Sequence, residues 1–164
     1  MPEIPDALAL VGATVTTGLS AGLLYCFAHA VMPGLGTLDD QDYLTAFGRI
    51  DAAISNPWMA LAWLGSPVLI GVALLQRISH RDAAFWCLVA AAVLVVATNV
   101  ITGVVNVPLN VEVRDAAPAF ADAAGLRVRF EGSWVTWNVV RTVTSVAATG
   151  LLGLATALSG RADG

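Results

Sequence analysis

Nine side chains in this sequence have the chemistry to bind and activate a small molecule, and they fall in four short stretches. His29 lies in "YCFAHAVMP", Asn56 in "ISNPW", and Asn106 and Asn110 in "NVPLN". Glu131, Trp134, Trp137, Asn138 and Arg141 share "EGSWVTWNVVR". In the last stretch Trp134, Trp137 or Asn138, Arg141 and Ser145 recur every three or four residues, which puts them on one face of a helix. Glu131 sits one turn earlier on the same line. Arg141 lies about a turn inside an apolar run, where an unpaired arginine costs roughly 2.5–3.5 kcal/mol. It needs a carboxylate, carbonyls or a ligand oxygen, or it must snorkel to the headgroups. Asn106 and Asn138 also require hydrogen bonds if buried. Each residue has a plainer reading as well. His29 is a hydrogen-bonded core imidazole, or a base or ligand. Asn56 caps a helix opened by Pro57, or it lines a pocket. Asn106 makes an inter-helix hydrogen bond, or it meets a ligand. Trp58, Trp134 and Trp137 form an interfacial belt, or the tryptophans of the last stretch wall a cavity.

The elements that must position these groups follow from composition. The chain has 164 residues, 57% hydrophobic and only 12% charged. A water-soluble domain carries about twice that share of charge, so the solvent is lipid. Each membrane span takes about 20 apolar residues, and four segments qualify: about 8–32, 57–75, 83–107 and 135–158. The fold expected is all-α, an integral membrane antiparallel four-helix bundle forming a single domain over residues 1–164. Gly18 and Gly22, then Gly150 and Gly153, would let helices approach closely within the chain; a homo-oligomer stays open. Net charge is −4 and all basic side chains except two histidines are arginine. There is no basic stripe for phosphates, which argues against nucleic acid as a partner. The start "MPEIPD" has no positive leader, so the first apolar run is expected as a retained helix. Cys26 and Cys87 lie in apolar runs without metal or disulfide spacing and read as small core residues.

The first long connection carries Leu38, Tyr43, Leu44, Phe47, Ile50 and Ile54 at helical spacing. It predicts a short amphipathic interfacial helix between the first and second spans, capped by Asp39 or Asp40. The second, interrupted by Gly125 and Gly132, predicts a helix and then an extended strand or turn. Arg77 and Arg81 in the shortest connection place it in the cytoplasm with both termini, in a multi-pass cell-membrane protein. The arginines of the two long connections pull the other way. In each half a span ends at a proline, Pro33 or Pro108, and a tryptophan opens the next, Trp58 or Trp134. A pair of related helical hairpins would produce this echo. Topology then brings the polar stretches to one end of one bundle, while Thr98 and Asn99 lie mid-span as inter-helix glue. Polar groups converging among aromatic walls are the usual form of a small-molecule site.

The segments "GLLYCFAHAVMPGL", "AFGRIDAAISNPW", "NVPLN" and "FEGSWVTWNVVR", in this order and spacing, resemble the anthrone-oxygenase-like family over about residues 17–155. The resemblance implies a four-helix membrane protein that oxidises an aromatic, anthrone-like hydrophobic substrate with O2 and uses no metal or other cofactor. Such chemistry needs a base for the acidic C–H, donors for the developing enolate or phenolate oxygen, and flat apolar walls. His29 is the candidate base and Glu131 the second, unless Glu131 pairs with Arg141. Arg141, Asn138 and Asn106 are candidate donors, Trp134 and Trp137 candidate walls, and Asn56 and Asn110 further binding groups. A binding or transport protein using the same pocket without chemistry, or a structural partner of another protein, are the competing readings. A bis-histidine haem is disfavoured because His80 falls at the opposite membrane face.

Overall fold

The computed structural model describes residues 4–161, with side chains from residue 7 to residue 160. All regular structure among them is helical. Helix α1 (Ile4–Cys26) passes through a π-turn (Phe27–Val31) into α2 (Met32–Leu35), and α3 (Asp40–Ile54) comes next. Then come α4 (Pro57–Gln76), α5 (Ala83–Ile101), a second π-turn (Thr102–Asn106), α6 (Val107–Ala116) and α7 (Ala123–Arg161). Four continuous helical rods are long and apolar enough to cross a membrane: Ala7–Leu35, Pro57–Gln76, Ala83–Ala116 and Ala123–Gly160. They form an integral membrane bundle, with α5 packed along α7 and α1 packed against both α4 and α7. Among neighbouring rods, the pair α4 and α5, although joined by a short turn, meets least.

Outward faces are apolar at helical spacing, as a lipid-facing surface requires. Leu8, Val11, Val15 and Leu19 line one side of α1, and Val93, Val96, Val100 and Val104 one side of α5. The interior is split into two clusters. Around the end of the bundle nearest the α4–α5 turn, small residues such as Ala13, Ala91, Ala148 and Ala155 pack with Leu88 and Leu152. At the other end Phe27, Tyr43, Leu44, Phe47, Phe130 and Trp134 form an aromatic core. Helix α3 lies across this second end and buries Tyr43, Leu44 and Phe47. Asp39 caps it, accepting from the Asp42 amide at 2.9 Å. This is the amphipathic helix that the residue pattern predicts.

Several expectations need correction. The first and third rods do not stop at their prolines. A proline cannot donate to the carbonyl four residues back, and its ring crowds that carbonyl. Here each proline is preceded by a π-turn, closed by Met32 N–H on Phe27 and by Val107 N–H on Thr102. The extra residue opens the ladder and lets the helix continue, to Leu35 and to Ala116. The same device at Pro33 and Pro108 extends the echo between the two halves. The halves differ beyond it, because α7 is one helix of 39 residues with no strand or break. Glycines at 125 and 132 each cost about 1 kcal/mol of helix propensity, but burial of Leu126, Phe130 and Trp134 against α3 outweighs that. Gly125 also has its own reason: Asp122, accepting from its amide at 2.9 Å, occupies the space a Cβ would need. Of the GxxxG step, Gly18 lies against Thr149 of α7, where a Cβ would be in ordinary contact at 3.7 Å, but the tighter helix approaches fall elsewhere. A Cβ on Gly22, Gly150 or Gly153 would meet nothing, whereas one on Gly12 would press on Leu69 and one on Gly65 on Thr16. Cys26 is exposed on the outer face, not in the core.

Candidate functional site

A cavity of about 180 Å³ lies between the two clusters, walled by α1, α3, α4, α5, α6 and α7. One water needs about 10–15 Å³ of such space, so the volume is of ligand size. Leu23, Leu24, Phe27, Phe47, Ile54 and Met59 supply apolar walls, and Trp63 and Trp134 supply indole edges and faces. Its deeper part is hydroxylated by Thr17, Ser20, Ser66, Thr98 and Ser145. Several of these groups are already used. Thr17 and Ser66 share a hydrogen bond of 2.6 Å between α1 and α4, and Thr98 bonds Thr144 at 2.7 Å between α5 and α7. Trp63 donates its indole N–H to Asn99, which joins α4 to α5. The Ser20 hydroxyl is buried without a partner.

Arg141 is the most costly residue in this wall. It is 5% exposed, so it does not snorkel. One terminal nitrogen donates to Thr102 Oγ1 at 3.2 Å and the other to Asn138 Oδ1 at 3.0 Å. Its Nε is buried with no acceptor. No carboxylate makes an ion pair with it among the described residues. The guanidinium lies 5.5 Å from the Trp134 ring centroid, a further but weak stabilisation. The π-turn explains why Thr102 reaches it, since that turn opens at Thr102. Asn138 is held by its own donation to the Leu24 carbonyl of α1 at 3.1 Å. A cation is thus fixed in an apolar cavity by neutral groups alone, with donor capacity left over.

Asn110 and Asp51 form the upper wall of the cavity. Trp134 Nε1 donates to Asn110 Oδ1 at 2.7 Å, and Asn110 Nδ2 donates to Asp51 Oδ1 at 2.7 Å. An indole only donates, so the Asn110 oxygen must face Trp134 and its amide N–H must face Asp51. Asp51 is half-buried on α3, outside the spanning rods. Burial pushes its carboxyl above the usual range; the nearby Arg114 charge and the Asn110 hydrogen bond pull it part of the way back.

The other sequence candidates lie apart from this cavity. His29 is exposed on the outer face, its Nδ1 2.7 Å from the Tyr25 carbonyl and its ring stacked on Tyr25 at 4.2 Å. The π-turn that brings Phe27 inward carries His29 outward. Glu131 pairs with Arg127 at 2.8 Å, and Arg127 also binds Asp40 at 3.1 Å and covers the Tyr43 ring at 4.2 Å. Glu131 therefore ties α7 to α3 and leaves Arg141 without it. Asn56 caps α4, accepting from the Trp58 and Met59 amides at 3.0 and 3.1 Å. Trp137, 38% exposed, faces outward. Asn106 is buried below the wall, donating to the Trp134 carbonyl at 3.3 Å with its own oxygen unpartnered. The structure thus gathers Asn110, Trp134, Asn138 and Arg141 on one cavity, adds Asp51, Trp63 and Ser20, and sets His29, Glu131, Asn56 and Trp137 elsewhere. Residue types alone miss Asp51, because it reads as one polar position on an amphipathic helix. Its spacing of one turn from Phe47 is the available signal, since both line the cavity.

Among known proteins, the family model for anthrone oxygenase matches residues 55–151. That interval holds α4 to most of α7, including Asn110, Trp134, Asn138 and Arg141. No curated protein and no solved structure matches the chain.

Proposed function

The chain belongs to the anthrone oxygenase family, and from that premise we propose that it oxidises a hydrophobic aromatic carbon acid of the anthrone type with O2 inside the membrane bundle, without a separate cofactor. The observation that carries this reading is the buried Arg141 guanidinium, which lines an aromatic-walled cavity and forms no ion pair among the described residues. Such a cation is best stabilised by an oxyanion that arrives with the substrate. An anthrone develops that oxyanion when its methylene C–H is broken heterolytically, because the electron pair delocalises onto the ring carbonyl. The electron-rich anion then reduces O2. One oxygen atom is retained as the second carbonyl, the other leaves as water, and the two methylene hydrogens are removed. Arg141 and Asn138 hold the oxyanion, Trp134 and Phe47 flank the rings, and the largely apolar walls strengthen the pull of the guanidinium on the anion.

Purified protein in lipid nanodiscs, given dithranol or emodin anthrone, is expected to accelerate oxygen uptake over autoxidation. Arg141→Gln keeps the length and some hydrogen bonding but removes the charge. It is expected to lower kcat/KM by about 10²-fold, the usual cost of losing an oxyanion donor. No acceleration by the wild type, or an Arg141→Gln rate equal to it, would overturn the reading.

A further inference from the structure

A second cleft, of about 290 Å³, lies on the far side of α3, between that helix, α6 and the segment after it. Its walls include Arg49, Arg114, Val113 and Phe120. Asp51 is the one side chain that lines both this cleft and the bundle cavity. It is therefore a partition: one side meets the apolar interior and the other meets an arginine-bearing cleft at the membrane face. Its Oδ1 is occupied by Asn110, whereas Oδ2 has no hydrogen-bond partner among the described residues. The carboxylate is also held in place. Asn110 is oriented by Trp134, and Trp134 packs on Phe47, Phe130 and Phe27.

We propose that Asp51 is the proton acceptor of the reaction and that the outer cleft is the route by which that proton leaves to water. The assignment rests on the oxygenase reading above. The substrate C–H bond breaks, its electron pair stays on the substrate and spreads to the carbonyl oxygen at Arg141, and the proton forms an O–H bond at Asp51 Oδ2. The carboxylic acid then loses the proton to water in the cleft, which restores the carboxylate before the next turnover. Two features of the surroundings suit that task. Burial raises the carboxyl, making the ion a stronger base than an exposed aspartate. Arg114 on α6 and Arg49 on α3 line the outlet and favour departure of a positive charge. Facing Asp51 across the cavity is Arg141 of α7, and no ionisable side chain of α1, α4 or α5 lines the cavity among the described residues. His29 has no path to this space, so Asp51 is the ionisable group there able to accept a proton.

Two readouts on the intact protein in nanodiscs separate this assignment from its parent. The first is anaerobic exchange of the dithranol methylene hydrogens with D2O, corrected for the rate without protein. The second is aerobic oxygen uptake. Asp51→Asn keeps the shape and can still accept from Asn110. It is expected to lose at least about 10²-fold in both readouts, the range of a general base, with an unchanged melting temperature. Arg114→Gln, at an exposed position, is read through the pH dependence of the two rates. It should move the acid limb of both profiles to higher pH, because it removes a charge that lowers the Asp51 pKa. Exchange that depends on Asp51 without protein-dependent oxygen uptake would uphold the base and remove the oxygenase. Oxygen uptake that persists at the wild-type rate in Asp51→Asn, or an acid limb unmoved by Arg114→Gln, would overturn the base and spare the oxygenase. If the wild type promotes neither exchange nor uptake, both assignments fall.

Discussion

At the level of single residues, charge in the site is divided between Arg141, a cation without a carboxylate, and Asp51, a carboxylate steadied by an amide. Between them stands the chain Trp134 to Asn110 to Asp51, in which each donor is used once. Its orientation matters more than its strength. Trp134→Phe keeps most of the packing but frees the Asn110 amide to turn its oxygen toward Asp51. The hydrogen bond that lowers the Asp51 pKa is then lost. An ionised base is required, so the acid limb of kcat/KM is expected to move to higher pH. Asn110→Ala should move it in the same direction, and the double variant should move it no further, since the two residues act as one unit. A pH–rate series of the three proteins checks this. His29→Ala, at an outward position, is expected to leave oxygen uptake within about twofold, as surface substitutions do. Steady-state rates beside the wild type decide it.

Among the elements, α3 and the first three turns of α7 work as a clamp over the mouth of the bundle. Phe130 is fully buried, with edge contacts to Tyr43 and Phe47 at 6.2 and 4.5 Å between ring centroids. Phe130→Ala is expected to cost about 3–5 kcal/mol by leaving a cavity. It should also loosen α3 enough for a protease to cut there, read by thermal melting and limited digestion in detergent. The two π-turns are the other decisive elements. They carry the helices past Pro33 and Pro108, and they hold Phe27, which is buried, and Thr102, which accepts from Arg141. A sequence pattern built on 3.6 residues per turn cannot anticipate a one-residue insertion. Spacing alone places Arg141 and Asn138, on an unbroken helix, on an inner face, whereas only topology brings His29 to this end of the bundle, and topology does not fix the face on which a side chain lies. Helix contact is only partly legible where small residues recur, since Gly18 meets Thr149 of α7 whereas Gly22, Gly150 and Gly153 meet nothing. Gly12 and Gly65 meet neighbours, and Gly65→Leu is expected to lower the melting temperature through its clash with Thr16, whereas Gly22→Leu is not.

Taken whole, the molecule is a bundle whose outside dissolves in lipid and whose inside holds a small, mostly apolar chamber with a few polar groups beneath a helical cover. Both α4 and α5 turn apolar faces outward, and they meet least of the neighbouring rods. A hydrophobic substrate concentrates in the bilayer beside them. Oxygen uptake is therefore expected to saturate with the mole fraction of substrate in the lipid, not with its bulk concentration. Varying the lipid-to-water ratio at fixed total substrate checks this.

The sequence alone determined the solvent, the four spans, the interfacial helix and the face of α7 that carries Asn138 and Arg141. All of these arise from local regularities, namely hydropathy over about 20 residues and the period of an uninterrupted helix. Tertiary structure alone decided that Glu131 serves Arg127, that Asn110 serves Asp51, and that Arg141 forms no ion pair among the described residues. Partner choice depends on which helices are neighbours and how each is rotated, and two π-turns and the lie of α3 set that rotation. These are properties of packing between segments far apart in the chain, for which spacing within one segment carries no signal.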